Sequence, residues 1–142
     1  MKFWDSAAIV PLLVREATSQ EMLEIFHGDL ETAVWWGTET ECLSALARCE
    51  REGKLTRADV AKAETTLRHF LQVAHEILPG AEIRRHSRRL LMTHPLRAAD
   101  SLQLAAALLL AGDHPEDLPF ISLDHQLSEV AQREGFQILP AQ

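Results

Sequence analysis

The sequence predicts an α/β fold in which helices cover both faces of a mainly parallel sheet of four or five strands. Three observations carry this. Short apolar runs alternate along the chain with longer helical patterns, as strands joined by crossover helices do. One stretch, Leu96 to Leu110 (LRAADSLQLAAALLL), is almost wholly Ala and Leu after the break at Pro95, the composition of a helix buried on most of its surface. The chain has 142 residues, 46% hydrophobic and 25% charged, enough for a core that needs no disulfide or metal staple. There is no repeat, low-complexity segment or linker, so residues 1–142 are expected to form one domain.

Taken in order, Lys2 to Trp4 predicts a short strand ending at Asp5, followed by a helix through SAAIVPLLVRE that Pro11 weakens. A second helix is expected from Ser19 to about Phe26. Ala33 to Trp36 (AVWW), bounded by Gly28/Asp29 and Gly37, predicts a second strand. Thr38 opens a helix to about Glu52, which Gly53 ends. Apolar residues at 60, 63, 67, 70, 71, 74, 77 and 78 form one helical stripe, so the next helix is expected from Thr56 to about Leu78. Ala81 to Arg84 is a candidate third strand, and His86 to Thr93 a helix. Beyond the Asp100 helix come a polar loop (Asp113 to Pro119), a buried strand (Phe120 to Leu123), a helix (Gln126 to Glu134) and a last strand (Gln137 to Leu139).

The totals exclude several classes. No apolar run is long enough to span a bilayer, and Asp5 interrupts the apolar start MKFWDSAAIV, against a signal peptide. The expected location is the cytoplasm, without a membrane partner. Cys42 and Cys49 fall about 10 Å apart along one helix, too far to bridge. A net charge of −7 argues against a general nucleic-acid-binding surface, although Arg84, Arg85, Arg88 and Arg89 form a local basic cluster. The histidines show no zinc-ligand spacing, and neither a P-loop nor GxGxxG is present.

In a parallel α/β fold, ligands bind at the edge where strands end and the following helices begin. Asp5 follows the first strand, Glu41 lies in the first turn after AVWW, Asp100 in the first turn of its Ala/Leu helix, and Asp124 directly after FISL. Each has a structural explanation: Asp5 and Asp124 as N-caps worth about 1 kcal/mol, Thr38-x-x-Glu41 as a capping box, Asp100 against the helix dipole. Together they do not. Two carboxylates about 6 Å apart repel by roughly 3 kcal/mol at an effective dielectric of 20, and every added pair increases the repulsion. Four converging carboxylates need cations. Oxygen ligands without Cys or His suit Mg²⁺ or Mn²⁺, and a divalent ion with open water positions suits phosphodiester hydrolysis.

The segments FWDSAAIV, ETECLSALAR, HPLRAADSLQLAAAL and FISLDHQLSEVAQREGF, in this order and spacing, resemble the PIN domain, and within it the VapC-type toxins of toxin–antitoxin pairs. The resemblance covers essentially the whole chain. It implies a PIN-like three-layer α/β/α fold and a Mg²⁺- or Mn²⁺-dependent endoribonuclease acting on tRNA, rRNA or mRNA. It also implies inhibition by a cognate antitoxin and a homodimer. Asp5 and Asp100 would be the principal metal ligands, completed by Glu41 and Asp124. Ser6, Arg97, Ser101 and Ser122 would orient ligands or touch phosphate. Apart from the resemblance, the Arg84 to Arg89 cluster, with Arg85 and Arg89, has two readings: a grip on RNA phosphates, or a solvated helix face paired with the acids of a neighbour. Glu39 competes with Glu41, but points roughly 200° away around the helix. Two positions depart from the pattern common in relatives: Ala7 replaces a hydroxyl, and His125 and Gln126 follow the last acid where a basic residue is usual.

Two other readings stand beside this one. A catalytically silent PIN-like module would act through protein binding alone, against which all four acids are retained. A receiver-like phosphoacceptor lacks the lysine expected near the last strand, since the only lysines are Lys2, Lys54 and Lys62. Of Trp35 and Trp36, adjacent on a strand, at most one can face a given surface and stack on a base.

Overall fold

The computed structural model describes residues 1–142. Five strands, β1 (Lys2–Trp4), β2 (Thr32–Trp35), β3 (His75–Ile77), β4 (Phe120–Ile121) and β5 (Ile138–Leu139), form one sheet in the order β3-β2-β1-β4-β5, with every pairing parallel. The helices are α1 (Ser6–Leu13), α2 (Ser19–Gly28), α3 (Thr38–Arg51), α4 (Arg57–Val73), α5 (Ala81–Thr93), α6 (Ala98–Ala111) and α7 (His125–Arg133). A short 3₁₀ turn, Pro115–Asp117, precedes β4. No helix is long and apolar enough to cross a membrane.

Strand alternation creates the three layers. Successive side chains point to opposite sheet faces, so Phe3, Ala33, Trp35 and Phe120 join one core with residues of α5, α6 and α7. Trp4, Val34 and Ile121 join the other, with Ala8, Ile9, Met22, Cys42, Leu67 and Phe70 from α1 to α4. Phe3 and Phe120, register partners on β1 and β4, stack with ring centroids 5.4 Å apart. The run Ala105–Ala107 is fully buried; these small side chains let α6 lie close against the sheet, as its all-apolar composition predicts. Both cysteines are free thiols.

The third strand is a correction. The helical stripe continues in phase through Ile77 and Leu78, but α4 ends at Val73 and His75–Ile77 pairs with β2, in register Ala33 to His75 through Trp35 to Ile77. Backbone groups along the open side of β2 need partners, and this strand supplies them. Ala81 to Arg84, the candidate strand, is instead the first turn of α5, whose buried face is Ile83, Ser87 and Leu90. Gly37 is fixed by the Trp35 ring: a Cβ there would lie 2.5 Å from the indole nitrogen.

Two arginines of the basic cluster on α5 are paired with acids. Arg89 donates to both carboxylate oxygens of Glu134, at 3.0 and 2.8 Å, and His94 Nε2 lies 2.6 Å from Glu134 Oε1. Arg85 pairs with Glu82 at 3.0 Å. Arg89 is therefore a tie between α5 and the end of α7, not a free phosphate contact. Glu134 is largely buried, so removing it leaves Arg89 and His94 without their shared acceptor. Glu134→Ala is expected to lower stability by about 2 kcal/mol, between the values for exposed and buried pairs, as a lower urea midpoint with an unchanged slope.

Candidate active site

The C-terminal ends of β1 and β4 are adjacent, because Trp4 and Ile121 are register partners. The residues that follow them, Asp5 and Ser122, therefore meet. Ser122 Oγ donates to Asp5 Oδ2 at 2.7 Å and accepts from the Asp124 backbone N–H at 3.1 Å. Asp5 is 3% exposed and occupies the N-cap position of α1, yet its side chain makes no capping hydrogen bond. Capping does not explain Asp5.

Glu41 approaches from the first turn of α3. Ser6 Oγ lies 3.2 Å from Glu41 Oε1 and 3.4 Å from Asp5 Oδ1, so one hydroxyl serves two carboxylates. The capping box expected from Thr38 and Glu41 does not form: Gly37 is the N-cap, and Thr38 is buried in the helix. Gln103 from α6 instead donates through Nε2 to Thr38 Oγ1 and to Glu41 Oε2, each at 2.9 Å. Glu39 is exposed and lines a separate surface groove with Leu43, Glu64 and Arg68. Asp100 lies in the first turn of α6, with the Arg97 guanidinium Nε 3.8 Å from Oδ2. Asp124 is a true N-cap, accepting from Leu127 N–H at 3.0 Å through Oδ1. A cleft lined by Ser6, Glu41, Ser44, Arg48, Arg97 and Asp124 opens beside this group.

The electrostatics follow from burial. The Asp5 carboxyl is pushed up to about 7, mainly by desolvation; Ser122 opposes the shift, and the charges of Glu41, Asp100 and Asp124 add to it. Glu41 is raised by burial and by Asp100, against the donations from Gln103 and Ser6. Asp100 is raised by burial and by Asp124, against Arg97. These mutual effects show that the four acids share one electrostatic neighbourhood. Yet no basic side chain comes within ion-pair distance of Asp5, Glu41 or Asp124; Arg97 beside Asp100 makes the only such contact of the four. Cys42, buried next to them, has its thiol pushed up to about 12 by burial and by Asp5 and Glu41. It stays a neutral thiol at pH 7 and packs in the core.

The donor chemistry fits a hard divalent cation. All four side chains offer carboxylate oxygens, and a raised carboxyl without a cationic partner is a site where a positive charge is stabilising. The one group of three or more His, Cys, Asp or Glu whose ligand atoms lie within 4.8 Å of one another is the exposed set His114, Glu116 and Asp117 on the 3₁₀ turn. No three of the four acids meet that spacing; an ion such as Mg²⁺, which keeps several waters and takes only one or two carboxylates directly, does not require it. Larger clefts, between α7 and the C-terminal residues and between α1 and α2, gather no comparable set of acids.

The structure brings Ser6, Ser122 and Arg97 to the acids, but not Ser101. That hydroxyl is buried, 2.7 Å from Ser87 Oγ, and donates to the Ala98 carbonyl at 2.7 Å, so it ties α5 to α6. Position explains the difference: Ser101 is one residue beyond Asp100, about 100° around the helix. Gln103, three residues beyond Asp100, returns to the site face. It is a polar residue within an Ala/Leu helix, and that anomaly of composition is the one signal by which the sequence could have found it. Of the tryptophans, Trp35 is 6% exposed and Trp36 54%, so only Trp36 presents its ring to solvent.

No family model matches the chain. Two curated relatives do: Ribonuclease VapC45 of Mycobacterium tuberculosis (strain CDC 1551 / Oshkosh) and Ribonuclease VapC49 of Mycobacterium tuberculosis (strain ATCC 25618 / H37Rv). Each is 30% identical, over 99% of this chain and 95% of the relative. Among solved structures, a chain from a toxin–antitoxin complex of Klebsiella pneumoniae shares the fold, with a TM-score of 0.60 at 18% identity over 87% of each chain.

Proposed function

The chain belongs to the VapC ribonuclease family, and from that premise we propose that it is a toxin endoribonuclease that hydrolyses RNA phosphodiester bonds with a divalent cation, Mg²⁺ or Mn²⁺, held by Asp5, Glu41, Asp100 and Asp124. The observation that carries this reading is the buried Asp5 carboxyl, raised to about 7 with no basic side chain at ion-pair distance. Nothing in the fold alone requires a carboxylate there.

Asp5 and Asp100 are the principal ligands in this reading. Glu41 and Asp124 complete the set directly or through water. Ser122 fixes one Asp5 oxygen, leaving the other toward Ser6 and Glu41. Arg97 and Arg48, at the margin of the same cleft, are placed to meet an RNA phosphate by charge and hydrogen bonding. When bound, a divalent ion supplies positive charge against the phosphate and lowers the pKa of the attacking water.

The proposal includes a protein antitoxin as inhibitor and a homodimer as the working form. The inner stripe of α4, Ala63, Leu67 and Phe70, is buried within the chain's own core, so a contact with either partner through α4 would use its outer face. Size-exclusion chromatography with light scattering is expected to give twice the mass of the 15.9 kDa chain.

The nuclease reading is tested by incubating the purified protein with a mixed tRNA and rRNA pool in Mg²⁺, in Mn²⁺ and in EDTA. Discrete internal cleavage products that appear with either metal and vanish in EDTA are expected. Cleavage undiminished in EDTA would contradict metal dependence. Absence of both cleavage and metal binding by calorimetry would favour a silent binding module.

A further inference from the structure

We propose that Gln103 is a positioning residue for the metal site: its buried amide holds the Glu41 carboxylate in the orientation that binds a divalent cation. The inference rests on the nuclease reading above and concerns a residue outside the acidic set.

Gln103 is fully buried, within a helix whose other buried residues are small or apolar apart from Ser101. A long amide in that setting needs a reason. Its Nε2 donates to both Thr38 Oγ1 and Glu41 Oε2, each at 2.9 Å, while its Oε1 is buried without any partner. Packing alone does not favour this residue, because an apolar side chain of similar shape would fill the same space and leave no orphaned acceptor. The orientation of the amide is set by its neighbour. A carboxylate accepts only, so the amide nitrogen faces Glu41 and the carbonyl oxygen is turned away from any donor.

The geometry also divides the labour at Glu41. Oε2 is held by Gln103 and Oε1 lies near Ser6, so the carboxylate plane is fixed from two elements, α6 and α1. Thr38 anchors the amide from below on the same turn of α3. Because Asp100 sits one turn earlier on α6, the helix that supplies one acid also aims a second. Removing a hydrogen-bond partner that orients a metal ligand typically weakens metal binding 10- to 100-fold.

The test uses Gln103→Met, close in volume and without polar groups. Positioning and packing predict opposite patterns. Positioning predicts Mn²⁺ affinity by calorimetry weaker by about tenfold and a fall in kcat for RNA cleavage that exceeds any rise in KM, whatever the change in melting temperature. A lower melting temperature with unchanged Mn²⁺ affinity would overturn the proposal and make Gln103 a structural residue. Thr38→Val, which removes only the anchor and leaves α6 intact, is expected to weaken Mn²⁺ binding about threefold. If the Met variant fails to fold, this variant decides alone, and unchanged affinity rejects the proposal. Wild-type protein that binds no Mn²⁺ would remove the nuclease reading and this inference with it. Normal wild-type binding that Gln103→Met leaves intact would remove only the inference.

Discussion

Asp5→Asn is expected to make the metal-free protein more stable above pH 7 while reducing RNA cleavage by a factor of about 10²–10³ or more. Both halves come from one carboxyl. Asp5 is buried and raised to about 7, so at pH 8 the metal-free fold carries an ionised group in a site that favours the neutral form. An Asn accepts from Ser122 Oγ as Asp5 does and carries no charge. The expected gain at pH 8 is on the order of a few kcal/mol, and it should vanish near pH 4, where Asp5 is already protonated. Thermal melts in EDTA at the two pH values check the stability half, and a single-turnover cleavage assay in Mn²⁺ checks the other. Loss of stability at pH 8 with none at pH 4 would mean that the Asp5 charge is satisfied by something other than a cation.

The second large effect concerns pH and metal together. The folded pKa of Asp5, about 7, lies above its ordinary value of 3.8. Between these values the folded state retains a proton that the unfolded chain has released, so metal-free stability falls as pH rises through this window. Glu41 and Asp100, also raised, shift in the same direction. A divalent ion competes with those protons, so its stabilising effect grows with pH. At a concentration a hundred times its Kd, Mn²⁺ should add about 2.7 kcal/mol at pH 8 and far less at pH 5. Melts with Mn²⁺ and with EDTA at both pH values measure this. Equal stabilisation at the two would indicate binding at sites outside the raised carboxyls, with the exposed His114, Glu116 and Asp117 set the first to examine.

Much of the architecture was legible because it depends on apolar pattern alone. The Ala/Leu stretch after Pro95 read as a buried helix, and the runs KFW, AVWW and FISL, set off by polar or Gly breaks, read as strands, although β2 spans Thr32–Trp35 and β4 only Phe120–Ile121. The edge strand β3 was hidden because Ile77 and Leu78 stay in phase with Leu67, Phe70, Leu71 and Ala74, and no breaker intervenes before Pro79. What ends α4 is the open side of β2, a tertiary demand that local periodicity does not record.

The candidate site was legible to the same depth. Topology alone brings residues after β1 and β4 and in the first turns of α3 and α6 to one sheet edge, so Asp5, Glu41, Asp100 and Asp124 could be placed there by chain order. Contacts that depend on side-chain direction were not legible. Ser101 follows Asp100 in sequence but faces α5, and Arg89 is matched to a glutamate 45 residues away. Gln103 was visible only as an anomaly of composition, and its bonds to Thr38 and Glu41 needed the packed helices.

The central claim, that these four acids hold the ion used in RNA hydrolysis, is tested most directly by comparing Asp100→Asn with wild type. The cleavage rate of one RNA pool in saturating Mn²⁺ is measured for both proteins prepared in the same way. Asp100 is half-buried and paired only weakly with Arg97, at 3.8 Å, so the variant should fold. The account predicts a loss of about 10²–10³-fold or more in the variant. Equal rates would place the activity elsewhere and contradict it.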